Sequence, residues 1–234
     1  METWLTYSPQ DFLAFSDRVY WRLFELHNAA LWPAQVPAIL AGLAVVVLLV
    51  RRPSWAGRAI AVILALAWVV SALTFLPRYA SINWAADGLI PVFLGQAVLL
   101  GVLGSVANTL QPRGEGSGSW IGVGLALYGL AVYPAVLFLS DRVLAGIQVF
   151  ALMPDPTAIV TLGAVLAGAH RWPSAMLTVV PLLWCLASWA TLATLGALEA
   201  WAFAPVAIAV LASLWVTRAA PRFRASRGSK ATLP

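Results

Sequence analysis

The sequence predicts an all-α integral membrane protein, a bundle of about seven transmembrane helices preceded by an interfacial amphipathic helix. Of its 234 residues, 62% are hydrophobic and 10% are charged, whereas soluble domains average roughly 45–50% and 25%. A water-soluble chain of this length cannot bury so much apolar surface. The apolar segments do not alternate as barrel strands do. Helices are therefore expected, since they satisfy their own backbone hydrogen bonds in lipid.

Residues 1–28 are predicted to form the interfacial helix. Ser8-Pro9-Gln10-Asp11 is typical of a helix start, with a serine N-cap, proline at the first helical position and an acid at the third. The apolar residues that follow share one face, and they are Phe12, Phe15, Val19, Leu23 and Leu26. Such a helix suits the outer interface as an anchor for the bundle. A gate or a partner-docking element is the alternative.

Residues 29–217 are predicted to hold the transmembrane bundle, because most apolar segments there approach the ~20 residues that cross the hydrocarbon core. The segments are Ala29–Val50, Ala59–Leu76, Ala85–Leu110, Trp120–Leu139, one within Val143–Ala169, Ser174–Leu195 and Ala200–Val216. The connections on one side carry ten Arg and Lys residues and those on the other side four. This asymmetry predicts the N-terminus outside and the C-terminus inside.

Residues 218–234 are predicted to form a basic, disordered cytoplasmic tail. Its five cations, Arg218, Arg222, Arg224, Arg227 and Lys230, are typical of a contact with anionic lipid head groups. We do not expect nucleic acid as a partner, because no basic stripe with interleaved aromatic residues accompanies the tail.

A carboxylate interrupts the fifth apolar segment at Met153-Pro154-Asp155-Pro156-Thr157. Pro156 disfavours helical geometry at Asp155, so a new helix is expected to begin there, with Asp155 as N-cap and Thr157 on its face. At mid-membrane depth this would be a discontinuous helix of the kind that holds substrate in transporters. At the outer rim, Leu144–Met153 would be a surface segment. A carboxylate at the bilayer centre costs roughly 2.5–3.5 kcal/mol or more, which favours the rim and a capping role.

Three further polar residues, Arg78, Asn83 and Asp87, lie near the start of the third segment. Their local interpretation is that Asn83 caps the helix, Asp87 complements its positive end and Arg78 pairs with Asp87. The alternative hypothesis is that Asp87, Asn83 and Asp155 share an extracytoplasmic vestibule that binds a proton, a cation or a small polar solute.

Gln96 lies about thirteen residues into its segment and is expected to face protein, because an amide exposed to lipid is costly. An interhelical hydrogen bond with Gln35 or Thr74 is one interpretation. Lining a polar path through the bundle is the other.

The sequence lacks the residue sets of several enzyme classes. It contains no His-Glu-x-x-His pair and no Ser/Lys dyad. His27 and His170 are predicted on opposite sides of the membrane, and Cys185 is the single cysteine, so neither type can build a metal site within one chain. We predict no cofactor and no metal, and a membrane enzyme is the least favoured class.

Five motifs occur together, in the order Asn28-Ala29-Ala30-Leu31-Trp32-Pro33-Ala34-Gln35, Ile82-Asn83-Trp84-Ala85-Ala86, Phe93-Leu94-Gly95-Gln96, Pro154-Asp155-Pro156-Thr157 and Pro181-Leu182-Leu183-Trp184. In this combination nearly the whole chain resembles a bacterial family of multi-pass inner-membrane proteins with a domain of unknown function. The resemblance implies the architecture and a bacterial inner membrane, and it implies no activity. It also implies a cysteine in many members where Asp155 stands, which favours the capping role.

We predict that the protein binds or transports a small solute or ion. Helices interrupted by proline and scarce buried polar groups favour this function. A bundle this small without an internal repeat would need to form a homodimer to transport. The alternative is a non-transporting accessory or scaffold protein in which the motifs serve folding and partner contacts.

Overall fold

The computed structural model of the chain describes residues 15–112, 117–139, 144–168 and 172–228, and these ranges contain helices and no strand. Eight helices longer than ten residues occur there. They are α1 Asp17–Leu31, α2 Gln35–Arg51, α3 Ala56–Ala80, α4 Trp84–Val106, α5 over residues 117–139, α6 Pro154–Ala167, α7 Trp172–Thr194 and α8 Ala204–Gly228. Short 3₁₀ helices at Leu144–Gly146 and Leu198–Phe203 precede α6 and α8. The all-α prediction is confirmed for this part of the chain.

Five helices of the described chain are long and apolar enough to cross a membrane. They are Ala56–Ala80, Trp84–Val106, Gly118–Leu137, Ala175–Thr194 and Leu198–Val216, and they match the second, third, fourth, sixth and seventh predicted segments. Taken together, α1 and α2 are also long and apolar enough to form one span, but the chain bends by 98° between them. The first predicted segment, Ala29–Val50, is therefore not one straight helix. It breaks at Trp32–Ala34, where Pro33 has no N–H to continue the ladder.

Within the fifth predicted segment, α6 begins at Pro154, after a short 3₁₀ helix at Leu144–Gly146 and an irregular stretch. α6 has 14 residues and all of them are buried. At 1.5 Å per residue it is about 21 Å long, against a hydrocarbon core of ~30 Å. The helix therefore forms an enclosed centre for the other helices and does not qualify as a span by its own length.

The closest packing in the bundle joins α5 to α6 through small residues. A Cβ atom added to Gly122 would lie 2.5 Å from the Gly163 carbonyl oxygen, and one added to Gly163 would lie 2.7 Å from the Gly122 oxygen. Glycines let two helix backbones approach in this way. In lipid, the hydrophobic effect does not draw helices together, and such close packing contributes to their association instead.

α1 lies across one end of the bundle. Its N-cap is Ser16, whose hydroxyl accepts from the Val19 N–H at 3.5 Å. The predicted start at Ser8 lies outside the described residues. On the predicted apolar face, Val19 and Leu26 are 43% and 52% exposed. The face that packs inward is instead aromatic in character and consists of Tyr20, Trp21, Leu23, Phe24 and His27.

At the opposite end of the bundle, the connections that were predicted to be cytoplasmic contact one another. The Gln111 side chain accepts from the Gly57 N–H at 3.0 Å and donates to the Pro53 carbonyl at 3.0 Å. The Arg52 guanidinium lies 5.1 Å from the centre of the Trp120 ring. At the C-terminus, α8 continues to Gly228, so helix extends into the segment that was expected to be a disordered tail.

Candidate functional site

A partly enclosed cavity of about 90 Å³ lies beneath α1. α1, α3, α4, α6 and α7 all contribute to its walls. Its polar lining comprises Asn83, Asp155, Ser188 and Thr191 together with Tyr20 and Tyr79. Asp155 is the one carboxylate among the lining residues, and this cavity is therefore the candidate functional site.

Asp155 accepts three hydrogen bonds from neutral donors. The Tyr133 hydroxyl donates to Oδ2 at 2.7 Å, and the Trp184 indole and the Ser188 hydroxyl each donate to Oδ1 at 2.6 Å. The side chain is 3% exposed. In the part of the chain that the structure describes, no Arg or Lys forms an ion pair with it. The carboxylate is therefore held rigidly by dipoles and has no protein cation beside it.

The predicted capping role of Asp155 is wrong in its geometry. The N-cap of α6 is Met153, in an extended conformation, with Pro154 as the first helical residue. Asp155 thus stands inside the first turn, where the helix dipole favours a negative charge. Its oxygens accept hydrogen bonds from side chains of α5 and α7 instead of from the N–H groups of α6.

Asp155 lies deeper in the bundle than the helix ends that surround the cavity. Its partner Ser188 precedes the end of the apolar stretch Ala175–Thr194 by six residues, and Tyr133 precedes the end of Gly118–Leu137 by four. At 1.5 Å per residue these offsets are roughly 9 Å and 6 Å. The carboxylate is thus neither at the outermost rim nor halfway along the helices.

Aromatic rings form most of the remaining wall. Tyr20 and Phe24 come from α1, Phe75 and Tyr79 from α3, and Trp184 from α7. The rings contact one another in sequence, with centroids 5.1 Å apart for Tyr20–Phe24, 5.5 Å for Phe24–Phe75, 5.8 Å for Phe75–Tyr79 and 6.5 Å for Tyr79–Trp184. The cavity therefore combines one carboxylate with a continuous arc of aromatic rings.

Two π-helical turns lie next to residues of this site, one to Phe75 in the cavity wall and one to Tyr133, which binds Asp155 from outside the lining. The turn Ser71–Phe75 in α3 ends on Phe75, and the turn Tyr128–Val132 in α5 directly precedes Tyr133. A π turn inserts extra backbone into a helix and rotates the residues that follow, and such turns are frequent at functional sites. Sequence periodicity alone would have placed these side chains on other faces.

The segment before α6 is largely buried and irregular, so the expected surface position of Leu144–Met153 was wrong for Gly146, Gln148 and residues 150–153. Side chains satisfy its backbone. Ser71 donates to the Ala151 carbonyl at 2.9 Å, and Thr157 accepts from the Ala151 N–H at 2.9 Å while donating to the Met153 carbonyl at 2.7 Å. Thr157 is thus a structural partner of this segment, two residues after Asp155.

Arg78 contacts histidine, and its expected partner Asp87 lies elsewhere. The Arg78 guanidinium donates to Nδ1 of His27 at 2.9 Å, and Nε2 of the same ring donates to the Leu152 carbonyl at 3.0 Å. This tautomer follows because Arg78 has no acceptor atom. The chain Arg78–His27–Leu152 ties α1 and α3 to the segment that carries Asp155.

Of the three residues in the vestibule hypothesis, two line the same cavity and the third does not. Asn83 and Asp155 line the same cavity, and the Asn83 side chain also accepts from the Ala85 N–H at 3.2 Å, which is the predicted cap. Asp87 is exposed at the protein surface and is not part of the cavity lining.

Gln96 makes an interhelical hydrogen bond with a different partner from those expected. Its amide nitrogen donates to the Leu177 carbonyl of α7 at 3.0 Å, whereas Thr74 and Gln35 bond elsewhere. Another amide, that of Gln148, is fully buried beside Asp155, and neither of its polar atoms makes a hydrogen bond of good geometry.

The three residues that hold the carboxylate were not predicted from the sequence, and they are Tyr133, Trp184 and Ser188. One signal was available, because Trp184 and Ser188 are one helical turn apart on α7, and the pairs Tyr20/Phe24 and Phe75/Tyr79 show the same spacing. No set of three His, Cys, Asp or Glu residues that could hold a metal occurs in the described ranges.

Residues 17–225 match a family of unknown function, DUF6064. This range includes every element that builds the cavity. No curated protein and no solved structure matches the chain.

Proposed function

We propose that this chain, which belongs to the DUF6064 family of unknown function, binds a small polar or charged solute at Asp155 and carries it across a membrane. The observation that supports the proposal is the cavity, which presents a buried carboxylate inside a bundle of apolar helices. Ionisable side chains in such surroundings are expensive and tend to mark solute or ion paths.

The short α6 supports transport as well as binding. Transporters place substrate at discontinuous helices, where a helix starts inside the bundle and leaves polar backbone beside the site. α6 starts beside the cavity, after a buried irregular segment with a positive φ of 66° at Ala151. Side chains from α1 and α3 hold this segment, so a shift of α1 would change the cavity as a whole.

We further propose seven crossings of a bacterial inner membrane, with the N-terminus outside and with α2 and α6 among the crossings. The excess of Arg and Lys on one side supports this orientation. In it, Asn83 and Thr191 lie at the mouth of the cavity and face the outside. The basic tail would then contact anionic lipids on the inner leaflet, and two copies would assemble for transport.

A screen of solutes against the purified protein in lipid nanodiscs tests the proposal. A ligand that binds only the native state raises the unfolding temperature. We expect that at least one of three classes, namely small anions, neutral polar molecules or cations, raises it for the wild type and fails to do so for Asp155→Asn. Uptake of that solute into proteoliposomes would then distinguish transport from binding alone.

Asp87→Asn is the matched control, since it neutralises an exposed carboxylate near the same end of the bundle and outside the cavity. It should respond like the wild type. If no class of solute stabilises the folded wild type, the hydrogen bonds of Asp155 serve folding alone. The accessory or scaffold function would then replace this proposal.

A further inference from the structure

We infer that the solute is a small organic cation of the ammonium type, recognised jointly by the Asp155 carboxylate and by the aromatic arc. The inference rests on the proposed function and adds the substrate class to it. It is drawn for this chain, in which a carboxylate occupies the position, and not for every member of the family.

The buried charge of Asp155 favours a cation in the cavity. Burying a carboxylate is unfavourable unless a positive charge or several hydrogen bonds compensate it. Asp155 has three neutral donors and the dipole of α6, and none of the described cations lies beside it. The cavity in front of it is therefore a place where a proton or a small cation gains free energy and where an anion would be repelled.

The aromatic residues of the cavity wall favour a cation as well. The face of an aromatic ring attracts a cation, and the effect grows when the cation is desolvated. Tyr20, Phe24, Phe75, Tyr79 and Trp184 surround the same cavity, and each is less than 9% exposed. Clusters of aromatic rings are the general device by which proteins bind alkylated ammonium groups.

The wall also disfavours a metal ion. Sodium, potassium, calcium and magnesium ions need a shell of oxygen ligands. Here both oxygens of Asp155 already accept hydrogen bonds, and five of the twelve lining residues are aromatic. An alkylammonium ion makes no such demand, because its charge is spread over a surface that is partly hydrocarbon.

The size of the cavity limits the cation. A cavity of about 150 Å³ holds benzene, with six carbon atoms. In proportion, about 90 Å³ admits about four non-hydrogen atoms. Trimethylammonium has four, and its neutral counterpart of equal size is 2-propanol.

Binding of these two probes and of potassium ion, measured by calorimetry on the full-length protein in nanodiscs, tests the inference. We expect trimethylammonium chloride to bind the wild type, with no detectable heat from 2-propanol or from potassium chloride. Asp155→Asn should weaken binding by more than tenfold. Phe75→Leu removes a ring of the arc at similar volume and should weaken binding by about two- to thirty-fold.

Phe93→Leu is the matched control, because Phe93 is equally buried and contacts Trp184 at 5.1 Å without lining the cavity. It should bind within twofold of the wild type. If Asp155→Asn does not fold, the wild-type probe series and the two phenylalanine variants decide the question. Undiminished binding in Phe75→Leu, or preference for 2-propanol or potassium, overturns the substrate class while leaving a solute site. The absence of binding by any class of solute overturns the proposed function as well.

Discussion

The contact between α5 and α6 offers a sharp test of the fold, because two neighbouring glycines of α5 differ in their surroundings. A Cβ at Gly122 would lie 2.5 Å from the Gly163 oxygen and 2.8 Å from the Ala167 Cα, whereas a Cβ at Gly124 would meet nothing within 4 Å. Both glycines are helical, so replacement by alanine gives the same gain in helix propensity. The difference between the two variants therefore isolates the cost of the close approach.

The magnitude follows from the distances. Ordinary Cβ contacts begin at about 3.4 Å, so Gly122→Ala forces the backbones of α5 and α6 apart by roughly an ångström. A gap of that size already removes a quarter to a half of the dispersion energy of each contact, and overpacking in a dense interior costs typically 1–3 kcal/mol. We expect the free energy of unfolding of Gly122→Ala to be about 1–3 kcal/mol below that of Gly124→Ala.

Reversible unfolding of both variants by sodium dodecyl sulfate in mixed micelles, followed by far-UV circular dichroism, measures this difference. It corresponds to roughly a five- to 150-fold change in the unfolding equilibrium at 25 °C. Equal stability of the two variants would show that α5 and α6 are not in backbone contact. The central position of α6 would then be refuted.

Three further predictions concern single side chains. Trp68→Phe and Thr161→Val both remove the buried hydrogen bond of 3.0 Å between these side chains, so a double-mutant cycle should give a coupling of about 1 kcal/mol; strict additivity would contradict the bond. His27→Ala should speed amide hydrogen exchange across α1, because the histidine ties that helix to the segment before α6; exchange at the wild-type rate in α1 would show that other contacts suffice. In a background with Cys185→Ala, Thr191→Cys should react with an impermeant maleimide added from outside the cell; reaction only from the inside would reverse the proposed orientation.

Composition and local chemistry alone predict the helical class, the apolar segments and a new helix at the Pro-Asp-Pro motif. These features depend on neighbours along the chain, and five of the seven segments recur as helices long enough to span a membrane. The same local reasoning correctly identified Asn83 as a cap. It also drew attention to Asp155, because a carboxylate between two prolines in an apolar run is conspicuous without any structure.

The partners of Asp155 could not be predicted in this way. Tyr133 and Trp184 lie 22 and 29 positions away in the sequence, and a π-helical turn sets the direction in which Tyr133 points. The partners of His27 could not be predicted locally either. His27 contacts Arg78 and the Leu152 carbonyl because the chain bends by 98° between α1 and α2. The solvent of a helix can be read from the polarity of its residues, whereas a cavity depends on which helices pack together and how each is rotated about its axis. Those choices depend on contacts between distant residues, such as the approach of Gly122 to Gly163, and no local pattern encodes them.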